Sequence, residues 1–184
     1  MSVLRAILRG LGAGALGTLA MDTLLYRRYR DAGGEADFRA WESSESLESW
    51  EAAPAPALVA KRLLKGLTNR EVPPRSARLL NNLTHWAFGL TTGAAYGLLV
   101  GSRKSHIWYG LPLGAAVWAG GYLVLPRLGV YEEIWKYDLE TLENDLSGHL
   151  VFGTATAAAF SLLPGLDGGR DSGIHAPTDP RRSK

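Results

Sequence analysis

Two histidines carry the sharpest chemical signal in this chain. His85 and His149 each stand near the start of a long apolar segment, and each has a polar residue four positions earlier, Asn81 and Asp145. On a helix, residues four apart share a face, so a carboxylate there can orient an imidazole and raise its proton affinity. Asp22 is a third unusual group, set at the end of an apolar run just before Arg27 and Arg28. Such groups could shuttle protons or sense pH near neutrality. They could bind a metal, with Asp145 or Asp22 assisting, or ligate a haem between helices. The residues alone favour a plainer reading. Each histidine makes an interhelical hydrogen bond near a membrane interface and fixes helix register. Asp22 pairs with the arginines that follow it. Two histidines specify no metal, and no cofactor is expected.

The elements that must hold these groups are read from where charge is missing. Mean hydropathy is −0.04, but charge is segregated into residues 27–78, 127–145 and 167–184. Between them, 79–102, 105–126 and 146–166 carry no acidic or basic residue apart from histidines. Each is long enough to cross a hydrocarbon core, which takes roughly 20 apolar residues. The first apolar run is shorter, and reaches full length only if Arg9 snorkels to the headgroups. A cleaved signal peptide ending near Ala20 is the alternative. The expectation is an all-α, polytopic membrane protein with four transmembrane helices. The spans are about 4–26, 81–101, 106–126 and 146–165, in one integral domain over 1–166. Residues 27–80 form a polar loop and 167–184 a disordered tail.

Glycine spacing supports the same architecture. Gly89, Gly93, Gly97 and Gly101 recur every four residues, and Gly153, Ala157 and Ser161 repeat the stripe after His149. Such stripes let helix backbones approach closely in a bilayer, where packing must replace the hydrophobic drive. Gly10 and Gly14 match Gly110 and Gly114 within a shared Gly-Leu-x-x-Gly-Ala pattern. Segment 84–99 also aligns with 148–163 on His-x-x-Phe-Gly. Together these predict a doubled helical hairpin whose two units have the same orientation.

In the first loop, residues 57–67 place Leu58, Leu63, Leu64 and Leu67 on one side and Lys61, Arg62 and Lys65 on the other. That pattern fits an interfacial amphipathic helix on anionic lipid headgroups, or equally a helix packed on the bundle's rim. Basic residues near the span ends weigh towards this loop being cytoplasmic and both termini outside.

Several classes are excluded. The chain has no cysteine, which removes thiolate metal sites, disulfides and cysteine-linked lipid. A net charge of +2, with basic residues scattered over loops, leaves no nucleic-acid footprint. Gly-x-Ser-x-Gly, phosphate-loop and His-Glu-x-x-His patterns are missing, so no enzyme is expected.

The layout resembles small, uncharacterised bacterial inner-membrane proteins of the YagU type. The residues behind this are the glycine-rich first span ending Thr18-Leu-Ala-Met-Asp22, the segment His85-Trp-x-x-Gly-x-x-x-Gly-x-x-Tyr-Gly97, the 110–118 span with Pro126 at its end, and His149-x-x-x-Gly153. The resemblance implies a multi-pass protein of the bacterial plasma membrane, with no established activity and no catalytic residues to transfer. The expected role is structural or interactive, with a second copy or another membrane protein meeting the glycine faces. A small transporter or proton-linked channel using both histidines is the alternative, and a haem- or metal-binding redox subunit the third.

Overall fold

A computed structural model describes residues 2–100 and 106–163. Gly101 and the tail 167–184 lie outside the described residues. Among those described, the chain is all-α, with no strand. The helices are α1 (Val3–Asp31), α2 (Phe38–Glu42), α3 (Ala55–Thr68), α4 (Ala77–Val100), α5 (Gly110–Val124) and α6 (Leu139–Leu162).

Local chemistry sets their ends. Asp138 caps α6, its carboxylate accepting from the Thr141 backbone N–H at 2.7 Å, so α6 starts before the apolar run that marked it in the sequence. Pro73 and Pro74 break the chain ahead of α4. Asn69, at φ 54°, closes α3 in the left-handed conformation. Among the described residues, only α1 and the stretch Ile107–Leu128 are long and apolar enough to cross a membrane by length and composition, not the four segments expected. The helices α4 and α6 are 24 residues each but carry polar side chains in their first turns, which lowers their hydropathy.

The packing order is α3–α4–α1–α6–α5, with α1 between α4 and α6. Each neighbour in the α4–α1–α6–α5 row runs antiparallel, because early residues of one meet late residues of the next. The row is joined through glycine. A Cβ on Gly93 would lie 2.5 Å from the Gly14 Cα and 2.6 Å from its nitrogen. One on Gly10 would lie 2.8 Å from the Ala94 Cα, and one on Gly14 would strike the Gly89 carbonyl. Gly97 faces the Ala6 carbonyl. On the other side of α1, Gly17 accepts the Thr156 side chain. Between α5 and α6, a Cβ on Gly153 would lie 2.9 Å from the Gly114 Cα, and Gly110 faces the Gly153 carbonyl. Ala157 and Ser161 continue the α6 stripe. Ala157 is fully buried, and the Ser161 hydroxyl donates to the Ala157 carbonyl at 2.8 Å.

Small and aromatic residues, rather than branched aliphatic ones, fill the core. Leu, Ile and Val are normally among the most buried residues. Here the buried apolar residues are Ala, Tyr and Phe alone among those described, while Leu8, Leu16, Leu19, Leu83, Phe88, Leu98 and Leu123 are exposed. Phe160, 1 % exposed, is the largest fully buried side chain. It takes the Tyr96 edge at 5.5 Å and the Arg9 guanidinium over its face at 4.4 Å. Through that contact α4 and α6 meet across α1.

The first loop folds onto α4. Helix α3 packs on α4 and buries Ala57 and Ala60, leaving Leu63, Leu64 and Leu67 exposed. Its cations have partners within the chain. Lys61 sits over the Trp50 ring at 4.7 Å, Lys65 pairs with Glu71, and Arg62 reaches the Gly129 carbonyl at 3.5 Å.

Candidate functional site

The sequence placed Asp22 with the arginines after it, and the structure corrects this. Positions five and six residues on do not share its helical face. Arg28 instead donates to the Asn144 carbonyl at 2.9 Å and the Ser147 hydroxyl at 2.8 Å, tying α1 to α6. Arg27 lies 3.9 Å from Asp31. Asp22 turns into the α1–α4 contact, 2 % exposed, where His85 Nε2–H donates to it with both carboxylate oxygens at 3.0 Å. The antiparallel glycine packing sets this meeting. With Thr18 against Gly89, Asp22 one turn later and His85 one turn earlier come face to face.

A third ionisable group joins them from the loop. Glu42, at the end of α2, brings a carboxylate oxygen close enough that the ligand atoms of Asp22, Glu42 and His85 all lie within 4.8 Å of one another. Trp86 Nε1 donates to Glu42 at 3.1 Å. Burial, then the charge on Asp22, raises the Glu42 carboxyl above its ordinary value, while His85 and the Trp86 bond pull the other way.

The loop is held there by the first turns of α4. Arg78 donates to the Ser43 carbonyl at 3.0 Å, Asn82 to the same oxygen at 2.9 Å, and Asn81 Nδ2 to the Ser44 hydroxyl at 2.9 Å. Ser44, at φ 52°, makes the turn. From the α1 side, Tyr26, Tyr29, Phe38 and Trp41 pack ring on ring at 5.2–6.4 Å. Asp37 caps the short α2 through the Ala40 N–H at 2.9 Å. Asn81 is therefore a loop anchor rather than a direct partner of His85. It is 8 % exposed, and its Oδ1 is buried without a hydrogen-bond partner.

His149 belongs to a separate centre. Its Nδ1–H donates to the Asp145 carbonyl at 2.8 Å, with the Asp145 carboxylate at 3.4 Å. Tyr122, Tyr131 and Tyr137 pack together nearby, with centroids 5.3–6.2 Å apart. Burial and the Asp145 charge push the Tyr131 hydroxyl up to about 12. The two histidines are thus not brought together. His85 faces α1 and the loop, and His149 bonds its own helix.

Sequence reasoning named Asp22, Asn81, His85, Asp145 and His149 but missed Glu42. The signal that pointed to it was indirect. Arg78, Asn81 and Asn82 crowd the first turns of α4, and buried polar groups there need partners from another segment.

Compared with known proteins, the chain matches no family model, no curated protein and no solved structure.

Proposed function

We propose that this is a four-span integral protein of a bacterial plasma membrane with a structural or interaction role. The observation that carries the reading is the inverted core. Small residues bring the backbones together and leucines face outward, as expected where lipid solvates the outside. At 24 residues each, α4 and α6 are roughly 36 Å long, more than the hydrocarbon thickness of about 30 Å. Their polar first turns sit at the loop face, outside that thickness.

The row is a doubled hairpin in this reading, α1–α4 and α5–α6, joined by α1 against α6. Gly10 and Gly14 meet the Gly93 and Gly89 carbonyls as Gly110 and Gly114 meet the Gly153 and His149 carbonyls. The two histidines differ in their partners: His85 bonds Asp22 across the α1–α4 contact, and His149 bonds Asp145 of its own helix.

The glycine faces are consumed within the chain, so a second copy or another membrane protein would meet the outward leucines and Phe88. Helix α3 lies at the bilayer surface with Leu63, Leu64 and Leu67 towards lipid, and with Lys61, Arg62 and Lys65 near anionic headgroups. The long-loop face is cytoplasmic in this arrangement. A proton path through a histidine pair has less support, because His85 and His149 bond different groups. The likeness to YagU-type proteins is part of the same proposal.

The test is extraction. Membranes from expressing cells, washed with alkaline carbonate, should retain the full-length chain in the pellet, and detergent should release it. Release by carbonate alone would defeat the integral reading.

A further inference from the structure

We propose that Asp22, Glu42 and His85 bind one first-row divalent transition-metal ion, of the zinc, manganese or ferrous class, at the seam between α1, α4 and the docked loop. Three observations converge on this. The three ligand atoms come from three different elements and lie within 4.8 Å of one another. The His85 Nε2 to Asp22 distance of 3.0 Å is close to the roughly 3–3.4 Å between neighbouring ligands on an ion with bonds of about 2.1 Å. Glu42 sits on the loop, and a loop end can adjust to an ion where a glycine-locked helix cannot.

The second observation is the donor count. Two carboxylates and the Asn81 Oδ1 are hydrogen-bond acceptors. The donors facing the carboxylates are His85 Nε2–H and Trp86 Nε1–H. Asn81 stands one turn from His85 on the same face of α4, its amide bonded to Ser44 of the same loop. Its oxygen is buried and unpartnered, a cost normally offset by water or an ion. An acceptor-rich, donor-poor seam is a cation's environment.

The third observation is depth. Asp22 has a side chain only 3 % exposed, and a buried carboxylate beside a second one is costly unless positive charge is supplied. Ligand chemistry narrows the ion. One imidazole with two carboxylates suits zinc, manganese and ferrous iron, while the lack of thiolates disfavours copper(I). Binding displaces the Nε2 proton of His85 to solvent and leaves both carboxylates ionised. His149 belongs to no such group among the described residues and bonds Asp145 of its own helix, so it serves as an internal control. The site goes beyond the membrane reading, since it depends on these three side chains and not on how many helices span.

The full-length protein in nanodiscs, stripped with chelator, is titrated with Zn2+ and in parallel with Co2+ as a spectroscopic probe. The expected result is one ion per chain, visible Co2+ absorption bands, and a change in tryptophan fluorescence through Trp86. Glu42→Gln should weaken binding at least about tenfold. It keeps the size of the side chain and sits at the loop, so helix content by circular dichroism should not change. Asp22→Asn should weaken binding as much or more, and His149→Gln should leave it unchanged. Failure of the wild-type protein to bind one equivalent, or binding that Glu42→Gln leaves intact, would overturn the proposal and leave a hydrogen-bonded cluster sharing protons.

Discussion

Gly93→Leu is expected to force α1 and α4 apart and to lower the unfolding midpoint of the protein in detergent. A Cβ at this position would lie 2.5–2.6 Å from backbone atoms of Gly14 and would strike the Gly10 carbonyl. A crowded side chain can change rotamer, but a backbone cannot step aside without parting two helices. Overpacking typically costs about 1–3 kcal/mol, and a backbone neighbour puts this case at or beyond the upper end. For a chain of this size, that corresponds to a fall of roughly 6–12 °C in the unfolding midpoint. Gly120→Ala and Gly121→Ala are the controls. Nothing lies within 4 Å of a Cβ at either, so each should be neutral or stabilise by up to about 1 kcal/mol through helix propensity. An unchanged midpoint in Gly93→Leu would mean that the α1–α4 contact does not hold the fold together.

The second large effect is expected at His85. The Asp22 carboxylate is almost fully enclosed, and His85 is its partner across the helix contact. Removing one partner of a buried pair leaves an uncompensated charge, at a cost of about 3–5 kcal/mol. His85→Ala should therefore destabilise the chelator-treated protein strongly. The double variant Asp22→Ala with His85→Ala should recover much of that loss, because the stranded charge goes with its partner. Thermal unfolding of the two single variants and the double one measures the coupling. A double variant no more stable than His85→Ala would show that the pair carries no such dependence.

Much of the helical layout was legible from charge segregation, because each long helix contains a long stretch without ionised side chains even where its ends carry them. The glycine positions were legible for the same reason. Spacing by four fixes a face, and Gly10, Gly14, Gly89, Gly93, Gly97, Gly110, Gly114 and Gly153 all sit at close backbone approaches. The register between helices was not legible. Sequence similarity aligns Gly10 with Gly110, which the contacts keep, but it also aligns Gly89 with Gly153, whereas the contacts put Gly93 in the place of Gly153, one turn away. Patterns of small residues repeat every turn, so they score equally well at several offsets.

That missing turn is also why the histidines looked like a pair. Seen along the chain, His85 and His149 have equivalent surroundings. In space, the group across from His85 is Asp22 on α1, whereas His149 bonds Asp145 of its own helix. Glu42 was illegible for a different reason. It lies on a five-residue helix whose position is set by side-chain bonds from Arg78, Asn81 and Asn82, and no periodicity within the loop announces a docking of that kind.

The number of spans is the claim on which the membrane reading rests, and the chain suits a direct count because it has no native cysteine. Single-cysteine variants at Ser2, Glu48, His106 and Glu132 would be labelled with a membrane-impermeant maleimide in sealed spheroplasts and again after permeabilisation. Four spans predict that Ser2 and His106 react from one side and Glu48 and Glu132 from the other. If only α1 and α5 cross, Ser2 pairs with Glu132 and Glu48 with His106, and that pattern would contradict the four-span account.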